Sequence, residues 1–218
     1  MLSFPQGGVT DSPVSRIHPS AKCFVKRTID IAGALIGLFV LAFLIVPIAI
    51  AIRLNSPGPI FYSQMRYGLK GKPFTIWKFR SMVQNADALK PMVVNQAQGL
   101  IFKNEFDPRI TRVGQFLRKT SLDEFPQFWN VLKGDMSLVG TRPPTEDEIS
   151  RYRPHHWQRL DVKPGLTGQW QVSGRSAIKD FEEIVRLDLH YQSVWSPWYD
   201  LQVILKTFLV LVDRRGAY

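Results

Sequence analysis

From Ile31 to Ile52 the chain runs 22 residues without a charged side chain. Coiled as a straight helix, that stretch reaches roughly 33 Å, enough to cross the hydrocarbon core of a bilayer. Lys22, Lys26 and Arg27 stand before it and Arg53 after it. Basic charge on both flanks gives the positive-inside rule no end to prefer. Pro47 falls inside the run, where its ring removes one backbone hydrogen bond and kinks a helix. Two arrangements follow. One is an ordinary span that tolerates a proline; the other is a re-entrant hairpin that enters and leaves on the same face. The residues by themselves leave both open.

The remaining composition narrows the class. Lys and Arg number 28 against 18 acids, a net charge of +10, which draws anionic partners: nucleic acid, anionic lipid or phosphorylated substrates. Aromatic residues make up 12% of the chain, which argues against disorder. The single cysteine, Cys23, excludes an intrachain disulfide and a Cys-based metal site and fits a reducing cytosol. The Gly-, Pro- and Ser-bearing start has Arg16 but no apolar run close behind it, so a secretory signal peptide is not expected. A chain of 218 residues suffices for one domain with a core and one membrane element. The division expected is a tail over 1–27, a membrane helix over 28–54 and a membrane-associated cytosolic domain over 55–218.

Beyond Asn55-Ser56-Pro57-Gly58-Pro59, which ends the membrane helix, residues 60–82 read as a β-hairpin. Phe61 and Tyr62 favour one strand, Phe74, Ile76 and Trp77 the other, and Gly68 to Pro73 the turn. Its basic residues Arg66, Lys70, Lys72, Lys78 and Arg80 suit a surface for lipid headgroups. Residues 82–104 are expected to be helical, then loop. Helices are predicted over Val113 to Lys119, from Ser121–Glu124 to about Lys133 with Gly134 as the stop, over Glu146 to Arg153, and over Phe181 to Val194. Residues 163–175 read as loop and strand. The tail after Trp195 reads either as a helix lying in the membrane interface or as an ordinary core helix. The fold class is α/β, mostly helical with a small β-hairpin.

The richest segment for chemistry is SLDEFPQFWNVLKGDMSLVGTRP. Ser121-x-x-Glu124 matches a capping box, and acids suit the first turn of a helix. The adjacent carboxylates Asp123 and Glu124 also admit a functional reading. A carboxylate attacks phosphorus once the phosphate charge is neutralised. That calls for Mg²⁺ on a second carboxylate and for arginine forks on the phosphoryl oxygens. Arg118, Arg142 and Arg175 are the candidates. His155-His156 reads as surface, since no acid at ligand spacing joins the pair. Asp188 and Asp200 flank an aromatic stretch and read as caps, ion pairs or supporting groups. No nucleophile elbow is present.

Several ordered blocks carry a resemblance: KRTIDI, GPIFYSQMRYG, FTIWKFRSM, DPRITRVGQFLRKTSLDEFPQFWNVLKGDMSLVGTRP, KPGLTGQWQVSGR and WSPWYDLQVILKT. Over these the chain resembles the bacterial sugar transferases, small monotopic phosphoglycosyl transferases that start exopolysaccharide and glycoprotein glycan assembly. The resemblance implies a UDP-sugar donor, a polyprenyl (undecaprenyl) phosphate acceptor and Mg²⁺. It implies that Asp123 is the nucleophile, Glu124 a metal-holding partner, and Arg118, Arg142, Arg175 and Asp200 substrate-side residues. It further implies a re-entrant membrane helix kinked at Pro47, interfacial amphipathic helices, and a catalytic domain on the cytoplasmic face of the bacterial inner membrane. The closing RRGAY is similar to that of exopolysaccharide initiators and gives a weak preference for glucose or galactose. A homo-oligomer is left open. Two departures stand out: Val46-Pro47 where the family has Ser-Pro, and Gly140-Thr141-Arg142 where it has Gly-Pro-Arg, which is expected to cost backbone rigidity. Competing readings are a membrane-anchored nucleic-acid-binding protein, for which no motif is recognisable, and a non-catalytic membrane scaffold, which would tolerate loss of Asp123.

Overall fold

The computed structural model describes residues 17–174 and 178–213. The uncharged run lies within helix α1, Phe24–Asn55, 32 residues that continue through Pro47 without interruption. By length and composition α1 can cross a membrane. Its packing shows how the apolar residues are divided. Lys26, Asp30, Ala34, Gly37, Ile48 and Ile52 are buried, three, four or eleven apart, spacings that return to the same side of a helix, so they form one stripe. Phe24, Leu35, Phe39, Phe43, Val46, Ile50 and Leu54 are exposed.

The buried stripe is fastened to the rest of the chain from end to end. Lys26 Nζ donates to Asp200 Oδ2 at 2.7 Å and to the Val139 carbonyl at 2.9 Å. Asp30 accepts from the Ser137 hydroxyl and the Leu138 N–H, both at 2.8 Å. Arg27 donates to the Val131 and Leu132 carbonyls at 2.7 Å, satisfying orphan acceptors at the end of a short helix. A Cβ at Gly37 would run into the ring of Phe128, so glycine there sets how closely α1 approaches that ring. At the far end Asn55 Oδ1 accepts the Val113 N–H at 3.1 Å.

Strands β1, Phe61–Tyr67, and β2, Pro73–Phe79, form the predicted antiparallel hairpin with Phe61 opposite Phe79 and Tyr67 opposite Pro73. Helix α2 is Arg112–Lys119, followed by a 3₁₀ helix, Leu122–Gln127, and α3, Phe128–Lys133. A second, parallel pair joins β3, Ser137–Val139, to β4, Gly165–Thr167. Helix α4 is Glu146–Ile149, α5 is Gln169–Val172, α6 is Phe181–Val194 and α7 is Pro197–Asp213. The mostly helical class with small sheets is as expected. Helix α7 buries Asp200 and Val203 while Trp198, Leu201, Leu205, Phe208 and Leu209 are exposed.

Three local expectations need correction. Residues 82–104 form no α-helix; they hold turns, a 3₁₀ turn at Lys90–Met92 and isolated bridges from Met82 to Ile110 and from Gln98 to Asp180. Asn95 and Asn104 explain why. Asn95 donates to the Ile101 carbonyl and accepts the Lys103 N–H, and Asn104 donates to the Val94 carbonyl; such side-chain bonds replace helical ones. The helix expected to reach Arg153 stops at Ile149, ahead of Pro154, whose ring disfavours helical backbone before it. Four of the five basic residues of the hairpin, Arg66, Lys70, Lys78 and Arg80, are engaged within the protein, while Lys72 is exposed. Arg80 donates to the Ser56 and Pro57 carbonyls just beyond α1. Lys70 pairs with Asp161 at 2.6 Å, and Lys78 turns into the site.

Candidate active site

Helix α2 begins at Thr111, whose hydroxyl accepts the Gly114 N–H at 3.0 Å. Two residues beyond its end, Ser121 is held at φ 55°, a left-handed conformation that few non-glycine residues adopt. In that conformation Ser121 makes no side-chain cap, so the capping-box reading of Ser121 and Glu124 is corrected. The chain winds instead into the tighter 3₁₀ helix, in which residues three apart eclipse one another. Glu124 and Gln127 therefore share a face.

Asp123, Glu124 and Gln127 line a cleft of about 1480 Å³ together with Lys78, Arg118, Arg142 and Glu148. Space on that scale exceeds what a drug-sized ligand fills and accommodates a nucleotide sugar. Asp123 is 6% exposed. Lys78 Nζ lies 2.6 Å from Glu124 Oε1. Arg118 Nε donates to Ser81 Oγ at 2.9 Å.

Arg142 forks onto Glu148 with bonds of 2.8 and 3.1 Å, a planar bidentate match. Burial works against the Glu148 charge, but Arg142 and then Arg66 outweigh it and hold the carboxyl below the usual range. Arg66 is pushed down to about 10 by burial first and by Arg142 second. Arg66 donates to Gln64 Oε1 and, at 2.9 Å, to the Pro143 carbonyl. The Thr141 hydroxyl donates to the Arg159 carbonyl at 3.0 Å. That bond anchors the residue that stands where the family has proline. Beneath it, Arg159 pairs with Asp188 at 2.6 Å, both nearly inaccessible, and donates to the Tyr152 hydroxyl at 2.6 Å.

Of the predicted site residues, Asp123, Glu124, Arg118 and Arg142 come together in one cleft. Arg175 and the RRGAY ending lie outside the described residues. Asp200 stands apart from these four. It does not line the cleft; its carboxylate takes Lys26, the Tyr191 hydroxyl at 2.7 Å and Trp195 Nε1 at 3.1 Å, tying α1, α6 and α7 together.

The surface reading of the histidine pair holds for His155, which is exposed, and is corrected for His156. His156 is buried, and an acid does join the pair: Glu182 meets His155 at 3.1 Å and His156 at 3.0 Å. The ligand atoms are close enough to share an ion. However, His156 Nδ1 accepts the Arg153 N–H at 3.0 Å, which leaves the neutral ring's proton on Nε2, facing Glu182. Hydrogen bonds from His156 and His155 hold Glu182 below the usual carboxylate range.

Lys78, Gln127 and Glu148 escaped the sequence reading. Glu148 carried a legible signal, since Thr145-x-x-Glu148 is a capping box and forms as one. Its second use, on Arg142, depends on contacts that spacing does not show.

Residues 21–214 match the family profile described as Bacterial sugar transferase. The chain belongs to the bacterial sugar transferase family. It is 52% identical over 204 residues to the galactosyl transferase CpsE of Streptococcus agalactiae, covering 93% of this chain and 45% of that protein. It is 40% identical to the UDP-glucose:undecaprenyl-phosphate glucose-1-phosphate transferase of Escherichia coli, covering 100% of this chain and 46% of that protein. It is 37% identical to the exopolysaccharide production protein ExoY of Sinorhizobium fredii, covering 88% of each. The chain thus spans less than half the length of the first two. For a bacterial sugar transferase, the cleft combines a buried aspartate, a lysine-paired glutamate and two arginines, a set suited to an anionic substrate.

Proposed function

We propose that this bacterial sugar transferase moves a sugar-1-phosphate from a UDP-sugar to undecaprenyl phosphate through a covalent intermediate on Asp123. The observation that carries the reading is the convergence of Asp123, Glu124, Lys78, Arg118 and Arg142 on one cleft. In the first half-reaction an Asp123 carboxylate oxygen bonds to the β-phosphorus, and the bond from that phosphorus to UMP breaks, its electron pair leaving with UMP. In the second, an oxygen of the acceptor phosphate bonds to the same phosphorus and Asp123 regains its carboxylate. Arg118 and Arg142 would bind phosphoryl oxygens, Arg142 being presented by Glu148.

The donor set fits Mg²⁺. Asp123 and Glu124 offer hard carboxylate oxygens on one short helix, and Lys78 pairs with Oε1 of Glu124. Mg²⁺ favours one or two carboxylates completed by phosphate and water. The chemistry it supplies when bound is neutralisation of diphosphate charge.

The membrane arrangement we infer keeps both ends of α1 on the cytoplasmic face. A helix of 32 residues extends about 48 Å, yet the domain grips it from Lys26 to Asn55. A transverse span would drag that domain through lipid, where its loops would lose their hydrogen bonds. The exposed stripe of α1 and the apolar face of α7 would share the lipid contact. For the sugar we favour galactose or glucose, the hexoses in the names of the streptococcal and Escherichia coli relatives.

Incubation with UDP-galactose or UDP-glucose and Mg²⁺, without acceptor, should release about one UMP per enzyme and leave a hexose-phosphate mass on the Asp123 peptide. UMP that appears only after undecaprenyl phosphate is added would instead mean direct attack in a ternary complex.

A further inference from the structure

Among the described residues, three that line the cleft carry a buried side-chain N–H without a hydrogen-bond partner, Arg80, Gln127 and Trp170, and of these only Gln127 lies on the short helix that carries the acids. Gln127 is 4% exposed, and its Nε2 is buried without a hydrogen bond. Gln127 closes the 3₁₀ helix that carries Asp123 and Glu124, and all three line the same cleft. A buried N–H without an acceptor is unfavourable, and an apolar side chain of the same shape would remove the penalty. Its retention calls for a partner that arrives from outside. The cations on the same cleft, Lys78, Arg118 and Arg142, indicate the chemistry of that partner: an anionic oxygen.

We propose that Gln127 donates its side-chain N–H to a non-bridging oxygen of the phosphoryl group in transfer. This rests on the phosphoglycosyl transfer reading above. The cations set the overall charge of the cleft, whereas a neutral amide contributes direction. The same phosphoryl group passes from UMP to Asp123 and then to the acceptor phosphate. A fixed donor on its non-bridging oxygen therefore serves both half-reactions, and its loss slows both alike. The role also separates activity from stability, because a side chain that only packed would lose both together.

The test uses the full chain in lipid nanodiscs with Gln127→Leu, which keeps shape and removes the donor, and Gln127→Glu, which keeps an acceptor at that place. UDP-galactose, UDP-glucose and UDP-N-acetylgalactosamine are the donors. Three quantities are read: the acceptor-free UMP burst, sugar transfer on adding undecaprenyl phosphate, and the melting temperature. For Gln127→Leu we expect a melting temperature equal to or above wild type, with both rates down about 100-fold, the scale of losing one transition-state donor. The KM for the donor should stay within about threefold, since the contact strengthens in the transition state. Gln127→Glu should be impaired at least as much. Rates near wild type in either variant overturn the proposal, and activity kept by Glu alone would mean an acceptor is needed there. A melting temperature that falls with activity makes Gln127 structural; if Leu fails to fold, Gln127→Met is read the same way, and failure of both overturns the proposal. A wild-type protein that releases no UMP from any of the three donors overturns the activity and this inference together. An active wild type beside an equally active Gln127→Leu overturns this inference alone.

Discussion

Lys78 Nζ stands 2.6 Å from Glu124 Oε1, an ion pair that fastens the second strand of the hairpin to the carboxylate pair. Replacing Lys78 by Ala removes that ion pair from Glu124. Charge-assisted hydrogen bonds are worth about 1.5–3 kcal/mol, so turnover should fall roughly 10- to 100-fold. Lys78→Arg should recover part of it. Glu124→Gln should raise the Mg²⁺ concentration needed for half-maximal rate. An unchanged Mg²⁺ titration in that variant would remove Glu124 from the metal site.

Asp123→Asn should abolish the acceptor-free release of UMP while the protein melts within a few degrees of wild type. The amide is nearly isosteric and is no nucleophile. Mass spectrometry after incubation with donor should show no phosphosugar on the Asp123 peptide. More than a few per cent of residual turnover would refute covalent catalysis at this residue.

The placement of α1 is open to a labelling test. Lys22 and Pro57 are exposed just outside its two ends. In a Cys23→Ser background, Lys22→Cys and Pro57→Cys should both resist a membrane-impermeant thiol reagent in intact cells and both react after lysis. Labelling of one site alone in intact cells would establish an ordinary span.

Asp200→Asn should act on stability. Lys26 and Asp200 are 6% and 3% exposed, and removing one member of a buried pair costs about 3–5 kcal/mol. The variant should unfold at lower denaturant, with its KM for UDP-sugar unchanged at temperatures where it stays folded. A raised KM with unchanged stability would return Asp200 to the substrate.

Acid should reveal the Arg142–Glu148 pair. The Glu148 carboxyl is held below its ordinary value of 4.5, so its unfolded form takes up protons first as pH falls. The stability it contributes is complete above that ordinary value and is lost as pH drops through the lower folded value. Glu148→Gln should therefore melt at a lower temperature than wild type at pH 7 and lose less on going to pH 3. Parallel melting curves for the two proteins across that range would deny the pair a role in stability.

The large elements were legible where periodicity and punctuation agreed. Phe181–Val194 has an apolar face at helical spacing, and the hairpin has alternating aromatics around a glycine turn; both formed as read. Residues 82–104 misled because their helix-compatible composition is overridden by two asparagines bonding backbone groups up to ten residues away. Ser121 misled because a serine that looks like a cap was needed in a left-handed turn. Asp123, Glu124, Arg118 and Arg142 were visible through the motif they form. Lys78 and Gln127 were not, since a lysine in a basic hairpin and a glutamine in an aromatic stretch look ordinary until the fold sets them against the acids.

Helix α1 carries at once an exposed apolar stripe and part of the core. Ala34 packs with Ile76, Val131 and Met136, while Ile48 and Ile52 pack with Phe79 and Leu117. The segment is therefore no detachable anchor. A chain trimmed to begin after Asn55 would lose the wall against which the hairpin and the Asp123 helix are built, and the bare apolar residues left behind would drive aggregation. Purification strategies that delete the hydrophobic segment to gain solubility should fail here, and the lipid or detergent around α1 becomes a structural ingredient of the catalytic cleft.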